Sequence, residues 1–148
     1  MTQSSSSNAL PKEAWYLGCA GLIPFISLPL SVVLDLLSYS LAAHYFTLYS
    51  AIILSFLGGV LWFSSLVEKN TQHMIYVAML PSIMAWLALI LLPISFSIPI
   101  LSVCFVGLIF YEQKFLLMPE SLVKEYTRLR WFLTIVVTGA HFIMTLVD

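Results

Sequence analysis

The chain has 148 residues, 61% of them hydrophobic and 9% charged, with a net charge of −1. Soluble domains carry about 25% charged residues, and a water-soluble fold of this size could not hide so much apolar surface, so an integral membrane protein is implied. The near-neutral charge implies no nucleic-acid partner, and no CxxC, HExxH or Cys/His cluster marks a metal, cofactor or catalytic centre.

The opening stretch "MTQSSSSNALPKEAW" is polar and serine-rich. Its one basic residue, Lys12, makes a poor secretory signal, and Glu13 argues against a mitochondrial transit peptide. The apolar run behind it is longer than the roughly 7–15 residues of a signal-peptide core. Residues 1–13 are therefore predicted as a disordered tail, and 14–148 as a single helical transmembrane domain.

A spanning helix needs about 20 apolar residues at about 1.5 Å rise each. Five segments qualify, at about 14–34, 45–67, 74–92, 95–111 and 128–147. The third and fourth are separated by "LPIS", which predicts a tight antiparallel hairpin; the competing reading is one re-entrant segment broken at Pro93 and Pro99. Before the fifth span, Pro119 suits a first helical turn and Glu120 follows it, with Leu122, Tyr126 and Leu129 on one face, predicting a short interfacial helix over about 119–127.

Five spans place the N-terminus, the second-to-third loop and the fourth-to-fifth loop on one side. That side carries Lys12, Lys69, Lys114, Lys124, Arg128 and Arg130, all six basic residues of the chain. The positive-inside rule then puts the N-terminus in the cytoplasm and Asp148 outside. Lys124, Arg128 and Arg130 are expected to anchor this side with snorkelling side chains, the alternative being a site for anionic lipid or a partner. Trp15, Tyr16, Trp62, Tyr76, Tyr111 and Trp131 are expected near the inner boundary, and Tyr39, Tyr45 and Phe46 near the outer one. Trp86 is expected in the core, and Cys19 and Cys104 as buried thiols.

Small residues let helices approach closely in lipid. The second span carries Ala51, Ser55, Gly58, Trp62 and Ser65 on one face, and Gly59 beside Gly58 is expected to widen this face into a flat notch. Matching small faces occur at Ala14, Gly18 and Gly21 in the first span and at Ala78, Ser82 and Ala85 in the third. These positions are predicted to pack helix on helix.

The fifth span carries a polar stripe of Thr134, Thr138, His141 and Thr145, expected to face the bundle interior. His141 is the one ionisable side chain well inside a span on this reading. All seven acidic residues are expected at helix ends or in loops, which lowers the case for an ion-coupled transporter. Asp35, His44 and Asp148 could gather at the outer face. Pro24, Pro29 and Pro81 are expected to bend their helices, with Ser27, Ser31 and Ser82 able to satisfy freed carbonyls.

The segments "LGCAGLIPF" (17–25), "YSAIILSFLGGVLW" (49–62), "PSIMAW" (81–86) and "YTRLRWFLT" (126–134), in this order, resemble the small bacterial membrane proteins called domain of unknown function 3429 (DUF3429), a group similar to mitochondrial transmembrane protein 69. The resemblance implies a polytopic helical protein and carries over no catalytic or binding residue. The fold expected is an all-α five-helix transmembrane bundle in a bacterial inner membrane, in contact with lipid and with other membrane proteins or copies of itself. The function expected is a non-enzymatic interaction or assembly role in a membrane complex; the alternative is an oligomeric transporter or channel for a small or apolar solute.

Overall fold

The computed structural model describes residues 10–67, 72–116 and 120–148. Predicted features at residues 1–9, at Lys69 and at Pro119 lie outside the described residues. Among the described residues the chain is helical with no strand, in the order α1 (Lys12–Ala20), α2 (Ile23–Val33), α3 (Tyr39–Val67), α4 (Gln72–Leu91), α5 (Ile94–Phe115) and α6 (Glu120–Leu146). Taken with α1 and α2 as one crossing, five segments among the described residues are long and apolar enough to span a bilayer. Large apolar side chains cover the exterior, among them Phe56, Phe63, Tyr76, Ile135 and Phe142. Bare apolar surface on this scale suits acyl chains and not water, so the chain is a multi-pass membrane protein in contact with lipid.

The first crossing is not the single helix predicted over 14–34. Lys12 and Glu13 belong to α1, not to the tail, and the helix breaks at Gly21–Leu22. The break follows from Pro24, which lacks the N–H that would bond Ala20 and whose ring would crowd that carbonyl. The ladder shortens there, with Leu22 N–H donating to Cys19 O at 3.0 Å. Pro24 then occupies the first turn of α2, where no backbone donor is required. Pro29 stays inside α2 and is buried, and the Ser31 hydroxyl donates to Leu28 O at 2.7 Å. Asp35 turns the chain after α2 in the left-handed region, with φ 54°, a conformation Asp tolerates better than most residues.

The second span starts at Tyr39, six residues before the predicted 45, because no proline or glycine interrupts the stretch from Ser38 onward. This shift takes Phe46 out of the predicted outer belt and into the core, where it is fully buried. The third and fourth spans form the predicted hairpin, not a re-entrant segment. Pro93 caps α5 in an extended conformation, and the Ser97 hydroxyl donates to Ala88 O of α4 at 2.8 Å. Pro99 is accommodated inside α5.

The interfacial helix expected over 119–127 does not exist as a separate element: residues 120–127 are the first turns of α6. Leu129, Val137, Ala140 and Met144 are buried on the face that Tyr126 begins, so the two predicted segments share one helical phase and fuse. Leu10 N–H donates to Glu125 Oε2 at 2.7 Å, bringing the starts of α1 and α6 to the same end of the bundle.

Helices α3 and α4 pack most closely, and the small residues explain how. A Cβ built on Gly58 would lie 2.5 Å from Ala78 O. Ala78 and Ala85 of α4 are buried, while Ser82 is partly buried. Gly18 of α1 sits against Leu133 and Leu129 of α6, with a built Cβ 3.3 and 3.4 Å away. Gly21 lies at the α1–α2 break, where Tyr49 donates to its carbonyl at 3.0 Å.

Several expectations are corrected. Ser55 is exposed, and Gly59 has no neighbour within 4 Å of a built Cβ, so neither packs inside the bundle and the double glycine is not one wide notch. The buried face of α3 runs instead through Leu54, Leu57, Gly58, Leu61 and Ser65, rotated from the predicted one. Trp86 is 60% exposed and faces outward, not into the core. Cys19 is exposed, and Cys104 is partly buried.

Candidate functional site

Among the described residues, α6 takes part in three polar or partly polar features inside the bundle. The first is His141, buried and held from both ring nitrogens. Its Nδ1 is 2.8 Å from Val137 O, and its Nε2 is 3.2 Å from Ser50 Oγ on α3. A carbonyl can only accept, so Nδ1 carries the hydrogen. Ser50 Oγ also lies 2.8 Å from Phe46 O, so its one proton has two acceptors within reach when the imidazole is neutral. The rings of Phe46, Phe105 and Phe25 surround the imidazole at centroid distances of 4.7, 5.5 and 5.8 Å. The predicted stripe therefore does face inward at Thr134 and His141, with Thr138 partly buried and Thr145 exposed.

The second feature is a buried ion pair absent from the sequence reading. Arg130 Nε donates to Glu112 Oε2 at 2.7 Å, and the two side chains retain only 7% and 3% of their exposure. Arg130 is thus not a surface anchor, and Glu112 is not in a loop: α5 continues past Tyr111 to Phe115. Lys124 and Arg128 do remain exposed at this end of α6. A signal for the pair was present. Arg130 precedes Thr134 by one helical turn and so extends the stripe that leads to His141, while Glu112 extends the buried face of Leu101, Phe105 and Leu108. Arg130 Nη2 and Glu112 Oε1 are buried without a hydrogen-bond partner, as are Thr134 Oγ1 and Thr138 Oγ1.

The third feature is a cavity of about 360 Å³ between α1, the α1–α2 break, α3 and α6. Its walls are apolar, with Phe25, Leu57, Leu133 and Val137 lining its depth. Tyr126, Arg130 and Thr134 supply its polar groups from α6. Leu17 and Phe56 line it as well and are themselves largely exposed, so it opens sideways between α1 and α3 toward the lipid. Among the described residues no three His, Cys, Asp or Glu side chains converge, so Asp35, His44 and Asp148 do not gather.

The family profile described as "Protein of unknown function (DUF3429)" matches residues 10–146, which takes in all five crossings. Transmembrane protein 69 of Xenopus tropicalis is 42% identical over 84 residues, covering 54% of this chain and 33% of that protein. The chain therefore spans about a third of the length of the curated relative it matches. No solved structure matches it.

Proposed function

This chain belongs to the DUF3429 family, and from that membership and the surface just described we propose that it is a non-enzymatic interaction or assembly protein of a membrane complex. Its setting in this proposal is a bacterial inner membrane, with the N-terminus and every lysine and arginine at the cytoplasmic face.

One observation carries the reading. Ser55 and Gly59 lie one turn apart on α3, both exposed, with no neighbour within 4 Å of a built Gly59 Cβ. Small residues spaced by four on a lipid-facing helix form a groove in which a second helix can pack. Ile52, Phe56 and Phe63 flank it, giving bulky rims for such a contact. Gly58, by contrast, is consumed inside the bundle, so the two adjacent glycines serve two different partners. The transport alternative needs a path past His141, and the three phenylalanine rings around it weigh against one.

Purification of the tagged full chain in mild detergent tests this reading. Stoichiometric companions are expected, and Gly59→Leu is expected to release them while leaving the thermal transition of the chain within a few degrees. Recovery of the protein alone at every expression level would overturn the proposal.

A further inference from the structure

We infer that the lateral cavity between α1, α3 and α6 is a binding site for one long hydrocarbon chain carrying an acyl oxygen head, with Arg130 and Thr134 receiving the head. This inference goes beyond the assembly reading and stands independently of any protein partner.

The shape fits a single chain. About 360 Å³ lies within the range of small-molecule pockets, which hold roughly 300–1,000 Å³. Its lining on α6 runs from Tyr126 to Val137, a rise of about 16 Å along the helix. The groups deeper along this path, Leu133, Val137, Phe25 and Phe105, offer only hydrocarbon contacts. The flank formed by Leu17 and Phe56 is exposed, so an acyl chain enters from the bilayer without crossing water.

The head chemistry follows from what the bundle leaves unmet. Arg130 is 6% exposed and Thr134 is 3% exposed. Both line the cavity, and Arg130 Nη2 and Thr134 Oγ1 have no hydrogen-bond partner. Burying a donor without a partner is costly, and these two, one helical turn apart on α6, mark a place where an acceptor belongs. Glu112 holds Arg130 Nε and Tyr126 also hydrogen-bonds the guanidinium, so it is the unpaired Nη2, together with the threonine hydroxyl, that suits an acyl oxygen, charged or ester-linked. A cationic head is disfavoured beside the guanidinium. The same acyl oxygen can come from a free fatty acid or from the acyl chain of a phospholipid.

Photolabelling of the full chain, reconstituted in zwitterionic nanodiscs, separates these sources. One arm carries a 16-carbon fatty acid with a mid-chain diazirine; the other carries phosphatidylcholine with the same diazirine chain. In at least one arm, saturable cross-links are expected at Phe25, Leu57, Leu133 or Val137, competed by the unlabelled compound, and the arm that gives them identifies the source. Thr134→Val keeps the side-chain shape and removes an unpaired hydroxyl, so the fold is expected to be as stable as before. Its loss of one hydrogen bond to the head weakens saturable labelling by about 5- to 10-fold. Val60→Trp, at a lining position on α3, is expected to abolish it. Labelling that is unsaturable in both arms and spread over exterior positions such as Tyr76 and Trp86 would overturn the inference, as would saturable labelling unchanged by both variants.

Discussion

Glu112→Ala is expected to destabilise the bundle by about 3–5 kcal/mol, the cost of stranding one member of a buried ion pair. Arg130 is nearly enclosed and its Nε is bound at 2.7 Å to Glu112 Oε2, so losing the carboxylate leaves a guanidinium with neither water nor a counter-charge. Arg130→Ala is expected to cost a similar amount, since it strands the carboxylate and also removes the packing of the arginine stem. The pair itself is not thereby a large source of stability. Removing both charges at once, as Glu112→Leu with Arg130→Met, is expected to return the protein to within about 1–2 kcal/mol of its starting stability, or above it. Reversible unfolding in mixed micelles reads the cycle made by the starting protein, Glu112→Leu, Arg130→Met and the double variant, and the coupling between the two sites is the deciding quantity. Additive effects in the double variant would mean that the two side chains do not meet.

The adjacent glycines give the second large effect, and its sign differs between them. Gly58→Ala places a methyl group 2.5 Å from Ala78 O, a backbone atom that can move only if α4 moves. Overpacking of this kind costs about 1–3 kcal/mol. The helix-propensity gain of alanine over glycine, up to about 1 kcal/mol, offsets only part of it, so a net loss is expected. Gly59→Ala meets nothing within 4 Å and is expected to be neutral or slightly stabilising for the isolated chain. Thermal unfolding of the two variants side by side checks this, because composition and helix position are nearly matched. Equal effects at both positions would contradict the packing of α3 on α4.

The spans were legible because a bilayer requires about 20 apolar residues of any helix that crosses it, and the five runs satisfy this without help from tertiary contacts. Their ends were less so. Hydropathy falls near His44 and Glu112, yet helices stop at backbone breakers or caps and not where polarity rises, so α3 begins earlier and α5 ends later than their apolar runs. The same cause hid the ion pair: Glu112 looked like a loop residue once its helix was ended at Tyr111. Pro24 was recognised as a disturbance, but whether a proline kinks a helix or restarts it depends on the neighbouring hydrogen bonds, here the shortened bond from Leu22 to Cys19. The inward direction of Thr134 and His141 was legible from their spacing, since polar groups in lipid seek the bundle interior. The direction of Trp86, Ser55 and Gly59 was not, because neither an indole nor a small residue is held to one face in lipid as strongly as a charge is. The cavity was not legible at all, since it arises from residues of α1, α2, α3, α5 and α6 that meet only in the fold.

Everything proposed for the surfaces of this bundle depends on five crossings with the basic residues collected on the cytoplasmic side. Single cysteines placed at Gln113, Lys124, Asp35 and Asp148, in a chain whose Cys19 and Cys104 are replaced by alanine, can be probed with a membrane-impermeant maleimide in right-side-out and inverted vesicles. Positions 35 and 148 are expected to react in right-side-out vesicles, and positions 113 and 124 only in inverted ones. Reaction of 124 and 148 from the same side would contradict the five-crossing arrangement.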